Sequence, residues 1–404
     1  MKRITGGVCA SKGFKANAVH CGIRKNREKL DLALIVSDVE CATASVYTQN
    51  KVKGAPIIVT KRNLENGKAR AIICNSGNAN TCNADGEEKA MQMCRLVEEH
   101  TGISASDVVV ASTGVIGQTL DIQPIASSMA KLVEGLNEKG GHRAGKAIMT
   151  TDTVIKERGY VVKIDGKVCH IGGIAKGSGM IHPNMATMLC FITTDINITS
   201  KMLQIALSKV VRDTFNMVSV DGDTSTNDMV TVMASGLAGN ALISEKGPMF
   251  NQFCVALKKI MREMSKDIAK DGEGATKLIE CRVTKAKGGK TARAIAKSVV
   301  TSSLVKAALF AADANWGRIL CAIGYTDEKF DISKIDVDIK SRMGTISVCR
   351  QGVGVEFDET AAHLILGEDE ITILVNCNQG GSKAVAWGCD LTYEYVRINA
   401  DYRT

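Results

Sequence analysis

Aromatic residues make up only 4% of this 404-residue chain, and prolines number four. The scarce aromatics do not interleave with the basic residues, so a stacking platform for single-stranded nucleic acid is unsupported. The scarce prolines make Pro183 and Pro248 stand out as turn markers. No run reaches the roughly 18 apolar residues of a membrane-spanning helix, and the first residues lack the apolar core of a secretory signal. The fourteen cysteines include no CxxC pair, which removes the usual zinc and thioredoxin-like spacings. Most lie in apolar runs, among them Cys74, Cys190, Cys321 and Cys349, where a free thiol acts as a small hydrophobe. A reducing cytoplasm is the expected location. Six histidines, His20, His100, His142, His170, His182 and His363, fall at neither ligand nor triad spacing, so no metal site is expected.

What is present is an ordinary globular balance, 45% hydrophobic and 23% charged. The length suits two or three domains or one large α/β unit. The formal charge is +8, with part of the excess in Lys12, Lys15, Arg24, Lys25, Arg27 and Lys29. A solvated surface is the plainest account of these charges. A nucleic-acid partner would call for further motifs that are missing.

Short apolar runs alternate with amphipathic stretches. Strands are expected at 32–36, 57–60, 71–74 and 108–111, and helices at 85–100 and 121–136. Residues 160–164 and 168–174 read as a hairpin turning on Asp165-Gly166. A strand is expected after Thr187, then a helix over 200–214 capped by Ser200. Another strand covers 229–233. The longest helical pattern spans 248–269, with Phe250, Phe253, Leu257, Ile260, Met261 and Met264 on one face. A strand at 278–283 and a helix at 292–309 precede strands at 335–339, 345–349, 371–376 and 392–398. The mixture is α/β or α+β, with helices layered on sheet.

Four segments can carry chemistry. Lys176-Gly-Ser-Gly-Met-Ile-His-Pro-Asn-Met-Ala-Thr187 is a glycine-rich turn ending on a hydroxyl residue before a strand. That pattern suits a self-cutting peptide bond between Ala186 and Thr187. A threonine freed in this way carries both a hydroxyl nucleophile and an α-amine of pKa about 7.7–8.0 to act as base. A glycine-rich turn opening a core strand is the plainer alternative. Ser112-Thr-Gly-Val-Ile-Gly117 follows a strand, where a hydroxyl and a glycine amide can point two donors at one oxygen; viewed alone, a plain strand-to-helix turn is the commoner reading. Asp271-Gly-Glu-Gly-Ala-Thr-Lys277 sets a carboxylate between two glycines, either to bind an ammonium group or as a solvated helix stop. Gly288-Gly-Lys-Thr291 looks like the end of a P-loop, but position 284 holds Thr284 where the pattern needs glycine.

Taken in order, these segments resemble the ornithine acetyltransferase, or glutamate N-acetyltransferase, family of arginine biosynthesis. Further matching stretches are Asn75-Ser-Gly-Asn-Ala-Asn80, Ala147-Ile-Met-Thr-Thr-Asp-Thr153, Ser219-Val-Asp-Gly-Asp-Thr-Ser-Thr-Asn-Asp228, Asn315-Trp-Gly-Arg318 and Tyr395-Val-Arg-Ile-Asn-Ala-Asp-Tyr402. The resemblance implies a layered sandwich of the aminopeptidase-like type. It also implies self-cleavage at Ala186–Thr187 into an α chain (1–186) and a β chain (187–404). Thr187 would then accept the acetyl group, with Thr113 and Gly114 as the oxyanion hole. Thr150, Lys176, Thr187, Glu273, Asn399 and Thr404 fall where the family contacts substrate. Thr150 has a competitor in its neighbour Thr151. The implied reaction moves acetyl from N2-acetylornithine to glutamate, with no cofactor; acetyl-CoA is an optional co-substrate. The implied assembly is a heterotetramer of two α and two β chains, with no nucleic acid and no membrane. An N-terminal-threonine amidohydrolase or aminopeptidase, with water as acceptor, is the nearest alternative. The chain departs from the family pattern at Ser303, Ala307, Ala312 and Ala314, which replace a proline, a threonine, a glycine and a proline; these changes bear on local stability.

Overall fold

The computed structural model describes residues 1–182 and 188–401. Ala186, Thr187 and Thr404 lie outside the described residues. In chain order the elements begin with β1 (Lys2–Arg3), β2 (Phe14–Val19), β3 (Leu32–Tyr47), α1 (Ala55–Asn63), β4 (Lys68–Asn78), α2 (Gly86–Thr101), β5 (Val108–Val115), α3 (Gln123–Glu134) and α4 (Gly141–Ala147). Then come β6 (Lys156–Ile164), β7 (Lys167–Lys176), β8 (Leu189–Thr194), α5 (Ser200–Val211), β9 (Val218–Ser219), β10 (Met229–Ala234) and α6 (Pro248–Lys270). The remainder is β11 (Leu278–Ala286), α7 (Gly289–Thr301), α8 (Ser303–Phe310), α9 (Trp316–Gly324), β12 (Asp336–Ser341), β13 (Gly344–Arg350), β14 (Val353–Gly354), α10 (Glu359–Leu366), β15 (Glu370–Asn376), β16 (Ser382–Cys389) and α11 (Tyr393–Asp401).

The described residues form two compact units. The first comprises 1–177, 188–212 and 224–264; the second comprises 178–182, 213–223 and 265–401. The first unit holds a nine-stranded mixed sheet in the order β1-β6-β7-β8-β10-β3-β4-β5, with β2 also paired to β3. Neighbouring residues along β3, β4 and β5 serve opposite faces. Ala33, Ile35, Ile72, Cys74 and Val109 join a core with α4 residues Ala144 and Ala147. Leu32, Leu34, Ala71, Ile73 and Val110 join another with α2 and α3. Burial of both faces explains why these strands read as unbroken apolar runs. The second unit carries a seven-stranded sheet, β14-β13-β12-β15-β11-β16-β9.

The expected hairpin is present: Ile164 pairs with Lys167 across Asp165 (φ +53°) and Gly166 (φ +72°). The apolar stripe of α6 is buried as its spacing predicts. Four expectations are corrected. Residues 57–60 belong to the helix α1, not a strand. A four-residue apolar run fits either, and here Pro56 in the first turn starts a helix. Thr199, not Ser200, caps α5, accepting from the Met202 amide. The 292–309 helix is broken at Ser302, whose extended backbone and hydroxyl end α7 and cap α8. Residues 392–398 are mostly helical, because Thr392 accepts from the Tyr395 amide and so opens α11. Among the departures from the family pattern, Ala312 sits at φ +54°, a left-handed position that favours glycine.

Candidate active site

The first unit gathers four of the expected site residues, Thr113, Gly114, Thr150 and Lys176, at one corner. β5 runs parallel to β4, with Ser76 beside Thr113 and Gly77 beside Gly114, and the register slips at Asn78. Gly77 and Gly114 both have positive φ, +111° and +131°. A methyl group on Gly114 would overlap the backbone of Gly77 and Asn78, so only glycine fits there. The 75–80 motif braces this bulge: Asn75 donates to the Asn78 carbonyl at 2.9 Å, and the Asn78 side chain accepts from the Asn80 amide at 2.7 Å.

β8, β10, β3 and β4 intervene in the strand order, yet Lys176 of β7 reaches Thr113 of β5. Their Nζ and Oγ1 atoms are 3.5 Å apart. Lys176 is 7% exposed. Its ammonium donates to the Thr150 hydroxyl at 2.6 Å. In the ladder Lys176 pairs with Leu189, two residues beyond Thr187.

Among the described residues, Lys176 has no carboxylate to itself. Asp152 lies 3.8 Å away but is already bonded to Lys156 at 2.7 Å, to the Gly177 amide at 2.7 Å and to the Thr150 amide at 3.0 Å. Burial alone would raise the pKa of Asp152, yet Lys176, Lys156 and the Gly177 amide together hold it well below the carboxylate range. Burial lowers the pKa of Lys176; Asp152 opposes this, while Lys156 and Arg24 add to it. Beside Met188, the buried Asp228 faces Thr48, Ser225 and the Met188 amide. Burial pushes its pKa well up, against the pull of those donors and Lys176. Its Oδ2 has no hydrogen-bond partner among the described residues.

The second unit holds Glu273 and Asn399, with Asn399 Nδ2 donating to Glu273 Oε2 at 2.9 Å. Glu273 is 9% exposed, which rules out the solvated helix stop. Its carboxylate lies against Gly179, where any side chain would overlap it. Residues 178–182, which lead toward the expected cut, are held tightly in this unit. Asp221 accepts from the Met180 amide at 2.6 Å and the Ile181 amide at 2.8 Å. Met180 is thereby kept at φ +55°. His182 is pushed down to about 4 by burial and by Lys297, which leaves it neutral at physiological pH. The P-loop-like turn is occupied by protein: Lys290 pairs with Glu328 at 2.7 Å, and Thr291 bonds the same carboxylate at 3.1 Å.

Sequence reasoning gave no roles to Asp152, Asp221 and Asp228, although all three sit inside the quoted motifs. Among the described residues, no three histidine, cysteine, aspartate or glutamate side chains gather as metal ligands, and no helix is long and apolar enough to cross a membrane.

Residues 15–404 match the ArgJ family. The chain is 49% identical over 392 residues to the "Arginine biosynthesis bifunctional protein ArgJ 1" of Clostridium acetobutylicum, covering 97% of this chain and 96% of that one. It is 46% identical over 405 residues to the ArgJ protein of Caldanaerobacter subterraneus, with 100% of each covered. A crystal structure of the ArgJ protein of Bacillus halodurans is 50% identical with a TM-score of 0.51, covering 54% of this chain and 100% of the solved one. With these relatives and a mixed α/β fold, the chain is an acyltransferase of arginine biosynthesis. It belongs to the ArgJ family.

Proposed function

We propose that this chain cuts itself between Ala186 and Thr187 and then transfers acetyl from N2-acetylornithine to glutamate through Thr187. The freed α-amine takes the proton of the Thr187 hydroxyl, and the oxygen bonds to the acetyl carbonyl carbon. The developing oxyanion is received by the Thr113 hydroxyl and the Gly114 amide. On collapse the bond from carbon to the ornithine nitrogen breaks, and that nitrogen takes the proton. Glutamate's amine then attacks the Thr187 ester. A new carbon–nitrogen bond forms, the ester bond breaks, and Thr187 regains its proton. Lys176 and Thr150 hold the α-carboxylate common to both substrates. Glu273, oriented by Asn399, takes the ornithine ammonium, and Thr404 completes substrate binding.

The observation that carries this reading is the buried Lys176 ammonium at Thr150 and Thr113, with its nearest carboxylate already committed to Lys156. Among the described residues its ion-pair partner Asp152 is shared with Lys156, and a substrate carboxylate would give it a second. The cut has separate support. The solved Bacillus halodurans chain covers 54% of this one, the share made up by residues 187–404, which are 218 of 404. After such a cut β8 and β10 of the second chain would remain hydrogen-bonded between β7 and β3 of the first, so the two chains stay joined. Two such pairs would form the heterotetramer. The word "bifunctional" in the relatives' names favours a second activity, which acetyl-CoA as alternative donor would supply. The working location is the cytoplasm.

Intact mass spectrometry under denaturing conditions tests the reading. Chains of 186 and 218 residues are expected, the longer one gaining a single acetyl group with N2-acetylornithine and losing it on adding glutamate. One uncut chain, or labelled acetyl released only as acetate, would sink it.

A further inference from the structure

The strand that follows the expected cut starts beside a buried acid. Asp228 immediately precedes β10, between the ends of β3 and β8. Its carbonyl accepts from the Thr48 amide at 3.0 Å, and the amide of its neighbour Met229 donates to the Met188 carbonyl at 2.9 Å. Asp228 is 1% exposed. Its carboxylate faces Thr48, Ser225 and the Met188 amide, and Lys176 acts on it as a charge; Lys176 has its own ion pair with Asp152. One oxygen of Asp228, Oδ2, has no hydrogen-bond partner among the described residues. A buried polar atom in that state is costly, and it calls for a role.

Covalent geometry brings one more group near. Three bonds separate the Met188 nitrogen from the α-nitrogen of Thr187, so the two lie within about 4 Å of each other in any conformation. A carboxylate bonded to the Met188 amide is therefore within about 7 Å of that α-nitrogen at most. Buried charges act on each other over such a range. In the uncut chain the nitrogen is an amide and carries no charge. The cut turns it into an amine, which takes up a proton in each half-reaction. Burial pushes the pKa of Asp228 well up; an ammonium at its open oxygen pulls it back down and leaves a carboxylate.

We infer that Asp228 is the counter-ion of the Thr187 α-amine in the matured enzyme, a positioning residue that orients this amine and steadies the ammonium it becomes. This rests on the acetyl-transfer reading above. The proton leaves the Thr187 hydroxyl for the amine as the oxygen–carbon bond forms. It passes to the ornithine nitrogen as the carbon–nitrogen bond breaks. Asp228 takes no proton in either step; it lowers the energy of the ion between them, as a carboxylate does behind a base. The same holds when the amine takes the proton of the attacking glutamate nitrogen, so both half-reactions depend on Asp228 equally.

Asp228→Asn keeps the size of the side chain and removes its charge. The variant should still cut itself, since the Thr187 nitrogen is an amide until then. In the matured protein the amine is a base only when unprotonated, so the acid limb of kcat/KM against pH reads its pKa. A neighbouring carboxylate raises an amine pKa; its loss in Asp228→Asn should move the midpoint of that limb down by about 1 pH unit or more. The plateau should fall about 10- to 100-fold, the size of one lost charge-assisted hydrogen bond, and equally for N2-acetylornithine and glutamate. Asp228→Glu, which restores the charge, should return the midpoint toward the wild type. The wild type supplies a check that needs no variant to fold. Burial would take an unpaired α-amine below its reference of about 7.7–8.0, whereas the pair should hold the midpoint at or above that value. A lower wild-type midpoint, a midpoint unmoved in Asp228→Asn, a folded Asp228→Asn chain that stays uncut, or a loss confined to one substrate overturns the assignment and leaves the acetyl-transfer reading standing. A wild-type enzyme that moves no acetyl from N2-acetylornithine to glutamate overturns both.

Discussion

Two stretches of this chain set glycine, lysine and threonine close together, and their fates are opposite. At the first, Lys176 is 7% exposed and Gly114 is packed against backbone of the neighbouring strand β4. At the second, the Lys290 side chain is 83% exposed and Gly288 has no neighbour within 4 Å. Lys290 has its own carboxylate in Glu328, which raises its pKa by hydrogen bond and charge. The pKa of Lys176 is lowered by burial, and Asp152 is shared with Lys156. A buried cation without a counter-ion of its own is poised for a ligand; an exposed pair is closed on itself and worth little. Residue types at a given spacing are therefore a weak signal, and crowding decides what they do.

The hydroxyls that accompany these lysines give the widest separation. Thr187→Ala removes the nucleophile of both the cut and the transfer. Intact mass should show one 404-residue chain, and acetyl transfer should be lost. Thr291→Ala, which removes only a bond to Glu328, should mature fully and keep its activity. A cut, active Thr187→Ala protein would break the contrast at its strongest point.

Next come the lysines themselves. Lys176→Met should lower kcat/KM for N2-acetylornithine and for glutamate alike, by about 10²- to 10³-fold, as expected when one side of a desolvated charge pair is removed. Lys290→Met should change neither by more than about twofold, because an exposed pair contributes little. Equal losses for the two variants would mean that burial is the wrong criterion.

The strand-end position of Thr113 and Gly114 was legible because strand-end glycines and hydroxyls are local signals. The Asp165-Gly166 hairpin and the buried face of α6 were legible for the same reason, since turn chemistry and helical period are written in neighbouring residues. The helix over Ala55–Asn63 was not, because four apolar residues fit a buried helix as well as a strand. Thr392 is read as opening a strand until its bonds to the Tyr395 amide and the Gly274 carbonyl are seen. Asp152 escaped notice for a deeper reason. Its importance lies in meeting both Lys156 and Lys176, and no local pattern encodes that meeting.

The glycines provide a stability version of the same contrast. Gly114→Ala forces a side chain into a left-handed backbone and into the Gly77–Asn78 strand. A loss of about 3 kcal/mol or more in urea unfolding is expected. Gly288→Ala meets open space at an ordinary extended φ of −154°, so its effect should stay within about 1 kcal/mol.

The smallest effect is the converse experiment. Ala312 already occupies a left-handed conformation, at φ +54°, where the family resemblance calls for glycine. Its amide is used by the Leu309 carbonyl at 3.2 Å, so the turn closing α8 keeps its form whichever residue stands there. Ala312→Gly relieves the clash between Cβ and the backbone, worth about 1–2 kcal/mol, and gives back part of that through the greater freedom of glycine in the unfolded chain, about 0.4–1 kcal/mol. A net gain near 0.5–1 kcal/mol is expected in urea unfolding, with kcat unchanged. A loss of stability would show that left-handed geometry at an isolated turn carries no strain here, and that the intolerance of Gly114 comes from crowding alone.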